Sequence, residues 1–227
     1  MTAITALTAQ NTVGVEMVTP VAHEMIVAQV RAVVADIGVD GVKVGMLGDE
    51  VTIDAVVEAL GMIGDAPIVV DPVMVSQSGA VLLDPNAKAA LIERVLPLAA
   101  VATPNLPEAR ELAGLREGAS PEELARAIHS LGPGAVIVTG GHSDDGADLL
   151  FDGSATLRID GPRFGEEASH GSGCTHSSAL AAYLARGTEL EDAARRARQI
   201  ASDAVGNGLA ELGAGSGPVD VIGIRGT

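Results

Sequence analysis

The stretch APIVVDPVM, residues 66–74, is a short apolar run that contains a carboxylate followed by a proline. A continuous apolar run bounded by turn residues is typical of a strand that is buried on both faces of a parallel sheet. Asp71 then lies at the carboxyl end of that strand. Because ligands of open α/β sheets bind beyond this end, the stretch predicts both a fold class and the edge at which a site would lie.

Strand and helix patterns alternate on both sides of this stretch. Apolar runs predict strands at 3–10, 41–47, 66–74, 99–105 and 134–141, and amphipathic patterns predict helices at 22–37, 52–61, 86–95, 106–114 and 121–131. An antiparallel pair of strands is predicted at 148–152 and 155–161, and long helices at 173–186 and 189–212. This alternation predicts an α/β fold with a mostly parallel sheet covered by helices on both faces.

Length and composition indicate one domain over residues 1–227, because a chain with 47% hydrophobic residues can bury one sizeable core. The 14 Lys and Arg against 30 Asp and Glu give a formal charge of −16, which argues against nucleic-acid partners and anionic membranes. A single cysteine excludes an internal disulfide, and the first residues, MTAITALTAQNT, predict neither a signal peptide nor a membrane anchor. We therefore expect a cytoplasmic protein.

Three of the predicted strands end in polar or glycine-rich segments: Asp71 follows the first, Asn105 and Glu108 the second, and the residues 139–141 (TGG) the third. Because these strand ends share one edge of the sheet, the residues should face one crevice. A carboxylate there can bind Mg²⁺, usually through water, and Mg²⁺ brings substrate phosphates with it. The alternatives are structural: a turn residue for Asp71, and a helix cap and first-turn acid for Asn105 and Glu108.

The segment ASHGSGCTHSSALAAYLA, residues 168–185, places a glycine-rich turn before a helix. Gly171 and Gly173 let the backbone approach a ligand closely, and the free amides of residues 172–175 predict an anion-binding turn. We also expect the helix dipole to lower the pKa of the Cys174 thiol. This thiol could then accept a proton or contact a hydroxyl group.

Two alternatives to this anion site remain open. The cysteine could be a small side chain packed where the helix meets the sheet. It could also be a nucleophile activated by His170 or His176, although sequence neighbours at a helix start seldom face each other.

Seven motifs, taken in order, resemble one enzyme family: TALTAQNT, VKVGML, VVDPVMVSQSG, ATPNLPEA, VTGGH, HGSGCT and, near the C-terminus, GPV. From residue 4 to residue 219 the chain is similar to the hydroxymethylpyrimidine and hydroxymethylpyrimidine-phosphate kinases of thiamine biosynthesis, in the ribokinase-like superfamily. The resemblance implies a ribokinase-like three-layer α/β/α sandwich. It also implies that ATP and Mg²⁺ are used to phosphorylate a small pyrimidine and then its monophosphate, giving the pyrophosphate precursor.

The resemblance further implies a substrate site. Gln10 would hydrogen-bond the pyrimidine, because an amide offers both a donor and an acceptor. Met46 would pack on the ring, and Val73 would complete the site. Residues 74–83 would form a flap that closes over the substrate and excludes water.

The residues implied for phosphoryl transfer fall into three groups. They are the anion-binding turn with Gly171, Ser172, Gly173 and the catalytic Cys174, the Mg²⁺ ligands Asp71 and Glu108, and the ATP-phosphate contacts Asn105, Thr139 and Gly141. Cys174 stands where many sugar kinases of the superfamily have their catalytic aspartate. The adenine would lie near the C-terminal helices and the segment GSGPV, residues 215–219.

Three departures from the family pattern affect these expectations. Thr139 and Gln77 stand where lysine is common, and Ala80 stands where aspartate is common. Family members also begin with a glycine-rich strand–loop–helix unit ahead of the segment that starts at residue 1 here, so we expect an N-terminally shortened kinase domain.

Two alternatives to an active kinase of this family remain. One is a catalytically impaired pyrimidine-binding fragment, and the other is a pyridoxal kinase-like enzyme, against which the motifs TAQNT and VMVSQSG argue. A homodimer is compatible with the resemblance.

Overall fold

The computed structural model describes residues 1–224 except Gln77, Glu117, 143–145, Arg163 and Glu166, and only the backbone of His142. The strands are β1 (Ala6–Gln10), β2 (Val15–Pro20), β3 (Val42–Val44), β4 (Ile68–Val70), β5 (Val101–Ala102), β6 (Val136–Val138), β7 (Asp148–Phe151) and β8 (Thr156–Ile159). The helices are α1 (His23–Asp36), α2 (Glu50–Leu60), α3 (Ala87–Ala90), α4 (Leu106–Ala113), α5 (Pro121–His129), α6 (Ser172–Ala185) and α7 (Leu190–Gly206). Short helical turns lie at Leu91–Val95, Leu96–Leu98 and Gly140–His142.

A six-stranded sheet in the order β3-β4-β5-β6-β7-β8 forms the centre of the fold. Strands β3 to β6 are parallel, with Val42 opposite Ile68 and Val69 opposite Val101. Strands β7 and β8 extend the sheet in antiparallel orientation. All of β4 is buried, which is why its sequence is apolar throughout. The predicted mostly parallel sheet and the predicted antiparallel pair are both confirmed.

Two hydrophobic clusters cover the two faces of this sheet. In β4, Val70 packs in the same cluster as Ile53 of α2, whereas Val69 packs with Leu180 of α6 and Ala194 of α7. Because successive residues of a strand point to opposite faces, the sheet lies between two layers of helices. The three-layer α/β/α sandwich is therefore confirmed.

The first strand lies outside this sheet. β1 pairs with β2 in a two-stranded antiparallel ribbon, in which Ala6 is opposite Pro20 and the register shifts at Gln10. Most residues of both strands are exposed. The sequence pattern predicts β1 but not β2, because Glu16 and the terminal proline weaken the strand pattern of VEMVTP.

Two helices differ from their predicted extents. The helix predicted at 86–95 is regular only in α3 and continues as irregular turns as far as Leu98. Helix α7 ends at Gly206 rather than at residue 212, because Gly206, Asn207 and Gly208 all favour a helix end. None of the helices in the described part of the chain is both long enough and apolar enough to cross a membrane.

Candidate active site

The carboxyl ends of three parallel strands meet at one edge of the sheet, as the sequence predicted. Asp71 follows β4 directly, Asn105 precedes α4, and Thr139 follows β6. The Thr139 amide donates to the carbonyl of Pro104 at 2.9 Å, and Asn105 and Thr139 face each other in a short parallel bridge. Helix α6 joins this edge because the Ser177 hydroxyl lies 3.0 Å from Asp71 Oδ2, and it shares its proton between this carboxylate and the Gly173 carbonyl, 2.9 Å away in its own helix.

Asp71 is the centre of a shielded ion pair. The Lys43 Nζ atom lies 3.0 Å from Asp71 Oδ2, and the two side chains are only 18% and 7% exposed. A buried carboxylate requires such partners, because it has lost its contacts with water. Gly45 leaves room for the ammonium group, since a Cβ atom at Gly45 would lie 2.7 Å from Lys43 Nζ. The pair therefore places a positive charge beside the strand ends.

Lys43 and Ser177 are site residues that the sequence motifs did not indicate. The available signal for Lys43 was a single charged residue in the middle of the apolar strand VKV. Ser177 could have been found by its spacing, since it follows Cys174 by three residues and so shares one side of α6.

Asn105 and Glu108 form a capping box at the start of α4. The Glu108 amide donates to Asn105 Oδ1, and the Asn105 amide donates to Glu108 Oε2, each at 2.9 Å. The helix-capping role that was the structural alternative for these two residues is therefore present in the structure. Burial raises the pKa of the Glu108 carboxyl to about 7; the Asn105 amide opposes this rise, and the negative charge of Asp71 adds to it. The charge of Asp71 thus acts on the Glu108 carboxyl at the strand ends.

The turn before α6 offers fewer free amides than the sequence predicted. Gly171 has a φ of 90°, in the left-handed region that favours glycine. The Ser172 amide donates to the Ser169 carbonyl at 3.0 Å, and the Thr175 amide donates to the Gly171 carbonyl at 2.9 Å. The prediction of four free amides was wrong for these two residues. Among the described residues, the amides of Gly173 and Cys174 have no acceptor and can bind an anion.

The expected lowering of the pKa of Cys174 was also wrong. The residue is exposed at the molecular surface, yet protein atoms around its thiol displace water and raise the thiol pKa. Lys43 opposes this rise, and Asp71 adds to it. The thiol is therefore neutral at pH 7 and suited to contact a hydroxyl group rather than to accept its proton readily.

The alternative of a nucleophilic cysteine paired with His176 is not supported, because this imidazole faces Asp148. The Nε2 atom of His176 lies 3.3 Å from Asp148 Oδ2, and both side chains are almost completely buried. The backbone of His170 pairs with the C-terminal segment: its amide donates to the Gly217 carbonyl at 3.1 Å, and its carbonyl accepts from the Val219 amide at 3.0 Å. The segment GSGPV therefore lies directly beside the turn that precedes α6.

The segment predicted as a flap forms a tight hairpin. Val75 and Val81 face each other in an antiparallel bridge, the Ser76 amide donates to the Ala80 carbonyl at 2.8 Å, and Gly79 has a φ of 87°. Gln77 lies outside the described residues. The hairpin begins just after Asp71, so it stands next to the candidate site.

A cavity of about 420 Å³ lies between the ribbon and this hairpin. Its lining residues come from the ribbon, from the segment after β3 and from the hairpin: Ala6, Val18, Pro20, Met46, Val81 and Leu82 are among them. Met46 is half-buried there. Gln10 and Val73 are not among the described lining residues, so the structure groups only one of the three predicted substrate residues at this cavity.

Two solved structures with this fold are small-molecule kinases. The phosphomethylpyrimidine kinase of Clostridium difficile has a TM-score of 0.77 and 37% sequence identity, and the match covers 90% of this chain and 86% of the other. An ADP complex of Bacillus subtilis pyridoxal kinase has a TM-score of 0.87 and 31% identity, over 100% of this chain and 87% of the other. The fold and the site therefore define a small-molecule kinase of the ribokinase-like class.

The chain belongs to the phosphomethylpyrimidine kinase family, whose model matches residues 1–220. It is 44% identical to a hydroxymethylpyrimidine/phosphomethylpyrimidine kinase of Rhizobium meliloti, over 95% of this chain and 83% of the relative. It is 45% identical to a thiamine biosynthesis bifunctional protein of Geobacter sulfurreducens, over 96% of this chain. The chain spans less than half of that bifunctional protein, namely 45% of its length.

Proposed function

We propose that this chain uses ATP to phosphorylate the hydroxymethyl group of hydroxymethylpyrimidine and then its monophosphate, giving the pyrophosphate precursor of thiamine biosynthesis. The observation that carries the proposal is the cluster at the strand ends. There the free amides of Gly173 and Cys174 start a helix whose Ser177 holds Asp71, and Asp71 is paired with Lys43. Phosphoryl transfer depends mainly on positioning and charge neutralisation, which such a cluster can provide.

In this proposal the turn before α6 receives the transferring phosphoryl group. Gly171 and Ser172 shape the turn, and the amides of Gly173 and Cys174 donate to the phosphoryl oxygens. The neutral Cys174 thiol contacts the substrate hydroxyl and orients it in line with the phosphoryl group. Lys43 lies close enough to this thiol to influence its pKa, so its positive charge also lies near the reacting groups.

The residues at the strand ends fit a bound Mg²⁺ ion. Asp71 and Glu108 are carboxyl groups close enough for the charge of one to raise the pKa of the other, a cost that a divalent cation would relieve. Mg²⁺ is usually held by one or two carboxylates together with substrate phosphates and water, so two carboxylates suffice. When bound, Mg²⁺ would neutralise charge on the ATP phosphates. Asn105, Thr139 and Gly141 would contact these phosphates.

The pyrimidine would bind beside Met46, with Gln10 donating to and accepting from its edge and Val73 closing the site. The cavity of about 420 Å³ between the ribbon and the hairpin supports a site beside Met46, because apolar side chains from both elements line it. The roles of Gln10 and Val73 rest on the family resemblance alone. The hairpin at 74–83 would close over the substrate. We further propose that the protein acts in the cytoplasm, where ATP is available, and as a homodimer.

The proposal is tested by measuring ADP release from ATP and Mg²⁺ by this chain with hydroxymethylpyrimidine, its monophosphate or pyridoxal. We expect both pyrimidines to be turned over with a higher kcat/KM than pyridoxal. A preference for pyridoxal would favour the pyridoxal kinase-like alternative. The structural similarity to the Bacillus subtilis pyridoxal kinase is the reason for including this substrate. Pyrimidine binding without any turnover would instead identify a catalytically impaired binding protein.

A further inference from the structure

A buried polar cluster links α6 to the segment that follows β6. The side chain of Asp148 is fully buried, and its Oδ1 atom accepts from the Gly140 amide at 2.8 Å. Arg198 Nη1, from α7, lies 3.3 Å from Oδ1, and His176 Nε2, from α6, lies 3.3 Å from Oδ2. One carboxylate therefore holds three separate elements together.

The charge of this carboxylate is stabilised by His176 and, independently of it, by Arg198. Burial alone would raise the pKa of Asp148, but His176, Arg198 and the Gly140 amide outweigh it and lower the pKa. The carboxylate is thus ionised, and Arg198 supplies a permanent opposite charge. Arg198 is itself fixed by the carbonyls of Gly146 and Pro162, to which its Nη2 atom donates.

The burial of the His176 imidazole at this position lowers the stability of the fold. His176 is 3% exposed, and neither of its ring nitrogens makes a well-aligned hydrogen bond to any described residue. A buried polar group without such a partner costs free energy, so an apolar side chain of similar size would pack there at lower cost. The contact of Nε2 with Asp148 is what an apolar side chain could not provide.

The position of His176 connects the two halves of the proposed phosphoryl-transfer site. It lies two residues after Cys174 and next to Ser177, which holds Asp71. On the other side of the cluster, Gly140 lies in the segment 139–141 that would contact the ATP phosphates. This segment packs closely against its neighbour, because a Cβ atom at Gly140 would collide with the backbone of Ala147.

We propose that His176 is a positioning residue for ATP: through Asp148 it holds the first turn of α6 in register with segment 139–141. The inference rests on the proposed function in that ATP is the nucleotide. Loss of the contact lets the phosphoryl-binding amides shift relative to the nucleotide-binding segment. Small misplacements of this kind are expensive in phosphoryl transfer, because catalysis there is mainly positioning.

The test compares His176→Phe with His176→Gln. Phenylalanine keeps an aromatic ring but removes both ring nitrogens, whereas the glutamine amide can still donate to Asp148. We expect His176→Phe to raise the KM for ATP and the Kd for ADP about tenfold, with the pyrimidine KM changed less than about twofold. His176→Gln should recover most of the loss. Ser202→Ala is the matched control, since it removes a buried hydroxyl one turn after Arg198 that has no hydrogen-bond partner among the described residues.

Wild-type KM and Kd values in His176→Phe would overturn the proposal, and so would equal losses in both His176 variants, which would indicate packing alone. If His176→Phe does not fold, Asp148→Asn replaces it, and unchanged ADP affinity in Asp148→Asn would also overturn the proposal. A wild-type chain without turnover on pyrimidines would contradict the proposed function. The ADP Kd values would still decide the role of His176 in that case, so the two failures are distinguishable.

Discussion

Replacing Glu108 by glutamine should flatten the pH dependence of folding stability. Burial raises the pKa of this carboxyl from 4.5 to about 7 in the folded chain, with the Asn105 amide opposing and Asp71 adding to the rise. As the pH rises above 4.5, the unfolded chain releases this proton before the folded chain does. The contribution of Glu108 to stability is therefore complete below pH 4.5 and is lost as the pH rises to about 7.

The size of the effect follows from these two pKa values. Their separation corresponds to about 3 kcal/mol in total, of which about 2.5 kcal/mol falls between about pH 5 and about pH 8. Glu108 is only 8% exposed, so solvent screening removes little of this. Glutamine keeps a side-chain oxygen that can accept from the Asn105 amide, so the cap of α4 is preserved while the titration is removed.

The assay is urea denaturation of the Mg²⁺-free chain at the two pH values. Wild type should lose about 2.5 kcal/mol more than Glu108→Gln between about pH 5 and about pH 8. The matched control is Glu123→Gln, because Glu123 occupies the same position in the capping box of α5 but is exposed, and the Ser120 amide lowers its pKa. This control should follow wild type over that interval. Parallel curves for wild type and Glu108→Gln would refute a proton on buried Glu108 near neutral pH.

Three further outcomes are expected. Lys43→Met leaves a buried carboxylate without its cation and should lower the free energy of unfolding by about 3 kcal/mol. Lys88→Met, at an exposed ion pair, should lower it by less than about 1 kcal/mol. Urea denaturation compares the two variants, and similar losses would contradict the shielding of the Lys43–Asp71 pair. Gly171→Ala should lower the free energy of unfolding by about 1 to 2 kcal/mol, because Gly171 has a positive φ. Gly173→Ala should not lower it, because there is open space around the Cβ position of Gly173. Thermal unfolding compares the two variants, and equal stabilities would show that the positive φ of Gly171 does not matter. The Cys174 thiol should react with iodoacetamide near neutral pH more slowly than free cysteine, and a faster reaction would contradict its raised pKa.

Local patterns were sufficient for most of the fold. The apolar run of β4 identified a doubly buried strand, and its neighbours in the chain alternated between strand and helix patterns as βαβ units require. The end of α7 was misplaced because the glycines near 206–208 were given too little weight. The ribbon was only half predicted, because β2 is exposed and burial is what imposes a hydrophobic pattern on a strand.

The site was predicted where it depends on strand ends and missed where it depends on contacts across the sheet. The rule for α/β sheets placed Asp71, Asn105 and Thr139 at one edge. Lys43 was missed because its partner is set by the pairing of β3 with β4, which no local pattern reveals. The thiol pKa of Cys174 was predicted in the wrong direction, because the helix dipole can be inferred from sequence but the loss of water around a side chain cannot.

The exposed ribbon of β1 and β2 has a thermodynamic consequence for ligand binding. A two-stranded ribbon with few buried residues is marginally stable by itself, so its amides should exchange with deuterium well before those of β4. We expect a ligand in the cavity beside it to reduce the remaining motion of the ribbon, and this entropy loss would reduce the observed affinity. Substitutions on the exposed side of the ribbon, for example at Leu7 or Met17, should therefore change ligand affinity although these side chains do not contact the ligand.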